Sequence, residues 1–153
     1  MKQSTAANHL LLHFTILISV LFATACSGSK DSQLITAAFN GDLAAVKDSL
    51  RNASSIDAKA NDGWTALSVA AREGHYDVVV FLLGKGADIN ALEDGGNSAL
   101  FWAAFSGNIK IVNLLLQKGA DIGKKCAKCQ TPLEIAKSKG FDNIVAILQK
   151  YSN

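Results

Sequence analysis

The chain is poor in the residues that chemistry at a site usually needs. It has 3 histidines, and His9 and His13 fall near its start. His75 is left as the downstream imidazole, too little for a nucleophile–base pair or a histidine-rich metal site. Proline occurs once and glycine 12 times, a balance that suits helices joined by short turns. Charged residues make up only 18% and hydrophobic ones 49%, which excludes a disordered polyelectrolyte. A net charge of +2 gives no argument for a nucleic-acid partner. No glycine-rich phosphate loop is present. Carboxylates are scattered singly, so neither a catalytic dyad nor a calcium loop is indicated. No catalysis, cofactor or metal is expected.

What is present begins with Lys2, a polar stretch and an apolar run at residues 10–25. A spanning helix wants about 20 apolar residues, so this run is short for an anchor, and it contains His13. It suits the apolar region of a secretory signal. Ala23 and Ala25 put small side chains at the third-last and last positions of a cleavage site, and Cys26 follows directly. Ala23-Thr24-Ala25-Cys26 resembles the lipobox of bacterial lipoproteins, with Ala23 where leucine is usual. The resemblance implies acylation of Cys26. Through Ser27 it implies an outer-membrane lipoprotein facing the periplasm or the cell surface. Ordinary cleavage and an uncleaved anchor are the alternatives. The division is then a signal peptide at 1–25, a lipid-anchored linker at 26–30 and one domain at 31–153.

A repeat of 33 residues organises that domain. Leu34, Leu67, Leu100 and Leu133 fall on this step, as do Ala37, Ala70, Ala103 and Ala136. Gly41, Gly74, Gly107 and Gly140 follow it, and so do Val46, Val79, Val112 and Val145. Units run at about 31–60, 61–93, 94–126 and 127–153. Each reads as two helices and a turn. Thr65 is a good N-cap and Gly74 a good left-handed stop. Thr131, Pro132 and Glu134 combine N-cap, first-turn proline and capping-box acid. The pattern predicts an all-α solenoid.

Gly63-Trp64-Thr65-Ala66-Leu67, Gly74-His75, Val78-Val79, Leu82-Leu83 and Gly86-Ala87-Asp88-Ile89-Asn90 resemble an ankyrin repeat. Residues 96–100, Gly119-Ala120-Asp121-Ile122 and Thr131-Pro132-Leu133 extend the likeness over 31–153. The histidine usual after the opening motif is replaced by Ser68, Phe101 and Glu134, which puts its hydrogen bonds in question. His75 stands where the family itself favours histidine, which implies a structural role. Lys47, Asp48 and Ser49 in unit one and Gln149 in unit four occupy places that are apolar elsewhere. Such polar ends predict an array closed at four units.

The resemblance implies binding of another protein, by a monomer, through turn tips and the exposed face of each first helix. By register those positions are Phe39, Asn40, Asn61, Asp62, Trp64, Arg72, Glu73, Asp94, Gly95, Asn97, Phe105, Ser106, Lys128, Gln130, Ser138 and Lys139. Phe39, Trp64 and Phe105 are the exposed-register aromatics expected to anchor the partner. Packing of these rings on neighbouring turns is the alternative. Phe101 and Trp102 are expected in the core. Charge is uneven: residues 61–93 carry an acidic excess and 94–153 a lysine excess. The partner is expected to be one served by a chaperone-like protein or a toxin met by its immunity protein.

Cys126 and Cys129 form a C-x-x-C pair. Their register equals that of Ala60 and Gly63, the first and fourth positions of a turn, which lie within disulfide range. A local structural disulfide is the leading expectation. A small thiol–disulfide redox protein and half a zinc site remain the other readings.

Overall fold

The helices of this chain are delimited by side chains that satisfy their free backbone ends. Thr65 Oγ1 accepts from the Ser68 amide at 3.2 Å, and Ser68 Oγ answers the Thr65 amide at 3.1 Å. Thr131 and Glu134 make the same reciprocal pair. The residues that stand for the usual histidine therefore close capping boxes in two units. Phe101 cannot, and there Ser98 caps alone, accepting from the Phe101 amide at 3.4 Å. Gly74 and Gly140 end their helices in the left-handed conformation, as Gly74 was expected to.

A computed structural model describes residues 30–53, 55–60, 62–123 and 129–152. Within them lie helices α1 (Lys30–Asn40), α2 (Leu43–Asn52), α3 (Ala66–Glu73), α4 (Tyr76–Gly84), α5 (Ala99–Phe105), α6 (Ile109–Gln117), α7 (Pro132–Lys139) and α8 (Asp142–Tyr151). They form four antiparallel pairs stacked in chain order, with no strand among the described residues. This is the expected all-α solenoid. No described helix is long and apolar enough to cross a membrane. The signal-peptide and Cys26 expectations and linker residues 26–29 lie outside the described residues, whereas Lys30, expected to end the linker, opens α1 instead.

The first helices α1, α3, α5 and α7 pack closely on one another, and the second helices touch their neighbours much less. Alanine explains the asymmetry. Ala37, Ala70, Ala103 and Ala136 are buried between first helices, where a methyl group permits close approach. Leu34, Leu67 and Leu100 fill the space below, and Val46, Val79 and Val112 close it from the second helices. Each such side chain contributes about 1.5–3 kcal/mol through burial. Leu133 and Val145 continue both ladders in the last pair but are only half-buried.

One register position links the units. Asp42, His75, Asn108 and Phe141 each precede a second helix. Asp42 caps its own helix, accepting from the Ala45 amide at 2.9 Å. His75 instead reaches back one unit, with Nε2 2.9 Å from the Phe39 carbonyl oxygen. A carbonyl only accepts, so Nε2 carries the proton. Asn108 Nδ2 repeats the reach, donating to the carbonyls of Ala71 at 3.0 Å and Arg72 at 3.2 Å. Gly41 is required for the first of these. Its φ is +70°, and a Cβ there would overlap the His75 ring. The structural role expected of His75 is what the fold shows.

The inter-unit turns carry a second ladder. Ser55 Oγ, Asp88 Oδ1 and Asp121 Oδ1 accept from the amides of Asp57, Asn90 and Gly123. Asp57 and Asn90 then use Oδ1 to accept from the Asp88 and Asp121 amides of the following unit, each at 2.9 Å. Local turns and neighbouring units are thereby tied by one set of side chains.

Candidate protein-recognition surface

The first-helix face presents an aromatic row held together by its own stacking. The Trp64 and Trp102 ring centres lie 4.6 Å apart. Trp102 also meets Phe101 at 5.3 Å and Phe105 at 5.4 Å, both edge to face. Arg72 lies across the first pair, its guanidinium 5.4 Å from each indole. Lys139 Nζ stands 4.1 Å from the Phe105 centroid. Such cation–ring contacts contribute about 0.5–1 kcal/mol at exposed sites. Arg72 keeps a loose ion pair with Glu73 at 3.6 Å.

Trp64 corrects an expectation. It is only 9% exposed and packs with Ile35 and Val69 in a small second core. Register reports where a Cα sits, not how far an indole reaches. From the turn before α3 the Trp64 ring extends onto Trp102 of the next unit. Phe39 is half-buried against the same cluster, and Phe105 is half-buried against the main core. Of the three proposed anchors, Phe105 and Phe39 keep a partial surface and Trp64 does not.

Trp102 corrects the opposite expectation. Phe101 is core, at 7% exposure, but Trp102 is half-buried on the first-helix face. Its Nε1 is buried without a hydrogen-bond partner among the described residues, at a cost of about 1–3 kcal/mol. The register gave no signal, because Val69 and Ile135 share it and are buried. An indole exceeds the space those aliphatic side chains fill, so part of it remains outside.

Asn40, Asp62, Glu73, Ser106, Gln130 and Lys139 are exposed, as are Asp94, Gly95 and Ser138. Asn97 is not a free contact residue: its Nδ2 donates to Glu93 Oε1 at 2.6 Å, and the same oxygen accepts from its amide. Glu93, which the pattern did not single out, also receives the Gly95 amide and so organises the whole turn. Asn61 and Lys128 lie outside the described residues. Among the described residues no three metal-ligating side chains converge.

Two turns are closed by a bond between first and fourth residues: the Gly63 amide to the Ala60 carbonyl at 2.9 Å, and the Gly96 amide to the Glu93 carbonyl at 2.8 Å. Gly63 and Gly96 hold φ at +75° and +79° there. Cys129 occupies the next position of that register without a positive φ. It is disulfide-bonded, and its Sγ lies 2.9 Å from the Gly95 carbonyl oxygen. A disulfide sulfur has no proton to donate, so this is a close approach and not a hydrogen bond. Cys126 lies outside the described residues.

Four helix pairs, first helices joined through alanine, and turn-to-turn hydrogen bonds at a 33-residue step are together the architecture of a protein-interaction solenoid. The family model described as ankyrin repeats in 3 copies matches residues 34–126, more than half of the chain, and the chain belongs to that family.

Proposed function

We propose that this chain is an envelope-tethered module that holds another protein on its first-helix face. The observation that carries the reading is the row of Trp102, Phe105, Arg72 and Lys139, half-buried aromatics flanked by cations. Aromatic and arginine anchors inside a polar rim are the usual composition of a binding centre. Asn40, Asp62, Ser106 and Gln130 supply that rim. Acylation at Cys26 fixes the monomer to the membrane, a reading supported by Ala23-Thr24-Ala25-Cys26. The partner is an envelope enzyme attended in chaperone fashion, or a toxin that the array blocks.

Cys126 is the proposed partner of Cys129. Their bond would stand where an amide–carbonyl bond closes each of the two turns before it.

The test compares envelope proteins retained by the full chain with those retained by an Arg72→Ala/Phe105→Ala variant of similar melting temperature. A protein held by the first and released by the second supports the reading. Equal retention by both overturns it. Labelling with a palmitate analogue checks the anchor, and label that survives Cys26→Ser removes it.

A further inference from the structure

The second-helix face has a character of its own. A cleft of about 350 Å³ between α2 and α4 is lined by Lys47, Leu50, Arg51, Phe81 and Lys85. Lys47 Nζ and Lys85 Nζ stand 5.6 and 5.8 Å from the Phe81 ring centre. Among the described residues neither lysine has a carboxylate partner. Arg51 pairs with Asp48 at 3.0 Å across an exposed surface.

Apolar bulk stands out on the same helices. Tyr76 and Val80, one turn apart on α4, are 45% and 42% exposed, and Ile109 at the Tyr76 register of α6 is 39% exposed. With Tyr151 on α8 these are the exposed large hydrophobics among the described residues, and every one lies on a second helix. Lys110 is exposed beside Ile109. Asp77 is the acidic residue of α4, and its carboxylate is engaged by the Val78 amide at 3.0 Å.

We propose that this face, centred on α2 and α4, docks on an anionic phospholipid surface. Exposed tyrosine, valine and isoleucine enter the headgroup boundary, while lysine stems lie along it and their ammoniums meet phosphate. A small soluble anion would engage the cations and leave Tyr76, Val80 and Ile109 in water. A second copy in a two-fold contact would set Lys47, Arg51 and Lys85 against themselves. The tether agrees, and here the inference rests on the proposed acylation at Cys26. Lys30 opens α1, the partner of α2, and the four steps from Cys26 span at most about 14 Å. Docked this way, the array turns its aromatic row away from the bilayer and toward a partner.

The experiment uses the full acylated chain reconstituted into vesicles, in a Cys126→Ser/Cys129→Ser background with a nitroxide on Val80→Cys or, separately, on Ser106→Cys. Relaxation by oxygen, which concentrates in acyl chains, is compared with relaxation by a water-soluble nickel complex. In vesicles containing phosphatidylglycerol, the label at 80 should respond to oxygen and the label at 106 to nickel. In phosphatidylcholine alone, or after Lys47→Glu with Lys85→Glu, the label at 80 should return to water. At about fivefold per cation, the paired reversal should weaken docking more than tenfold. A label at 80 that stays aqueous while the chain sediments with phosphatidylglycerol vesicles overturns docking and leaves the anchor standing. Docking on phosphatidylglycerol by Cys26→Ser chains that ignore phosphatidylcholine supports docking without the anchor. A label shielded from both reagents in a dimeric chain assigns the face to a second copy and overturns the proposal.

Discussion

The two faces of the array treat large side chains in opposite ways. On the first-helix face Phe101, Trp102 and Phe105 lean on one another along α5, and Trp64 joins them across a unit boundary. On the second-helix face Tyr76, Val80 and Ile109 stand in solvent. Hydrophobicity does not separate the two groups. Helix spacing does: first helices meet through alanine, so a long ring at the margin falls onto its neighbour. Second helices diverge, and a side chain pointing outward finds nothing above it.

The largest effect expected from this contrast is at Trp64. Trp64→Ala should cost about 3–5 kcal/mol, comparable with Leu100→Ala at about 2–5 kcal/mol, because both empty a packed space. Thermal melting of the two variants side by side is the measurement. A Trp64→Ala chain that melts like the parent would return this ring to the surface and erase the contrast.

The Cys126→Ser/Cys129→Ser chain should follow, losing less than about 2 kcal/mol, since a four-residue loop has little closure entropy to save. Denaturant titration with and without reductant reads it. Lost biological activity at unchanged stability would instead favour thiol–disulfide exchange.

His75→Ala should cost about 1–2 kcal/mol by removing the hydrogen bond that ties the second unit to the Phe39 carbonyl. His75→Asn should recover most of that, because Asn108 already makes the equivalent reach. If asparagine proves no better than alanine, the ring fills space and the hydrogen bond is incidental.

The smallest effect is expected at Val80. Val80→Ser should move stability by no more than about 0.5 kcal/mol, since the side chain is already exposed. A clear drop in melting temperature would mean that the second-helix face is packed after all.

Much of the fold was legible in particular residues. Thr131, Pro132 and Glu134 announced a helix start, and they cap α7. The leucine, alanine and valine ladders marked the core because a solenoid repeats its contacts with its sequence. The recognition surface was less legible. Phe39, Trp64 and Phe105 occupy outward register positions, yet Trp64 is buried, and Trp102, whose register is filled by core aliphatics in the neighbouring units, shares the surface row. The role of Glu93 is not legible in the sequence, because one carboxylate in a turn looks like any other until three donors converge on it in space.

The sequence by itself determined the helical period, the caps, the 33-residue step and the family, because each is written in near neighbours or in exact repetition. Only the tertiary structure decided which of the two indoles, Trp64 and Trp102, is inside. Burial of Trp64 depends on Trp102 in the next unit and on Arg72 lying across both rings. The reach of a ring across a unit boundary is set by how far apart two helices stand. That distance is fixed by alanines packed between the first helices, none of which adjoins Trp64 in the chain.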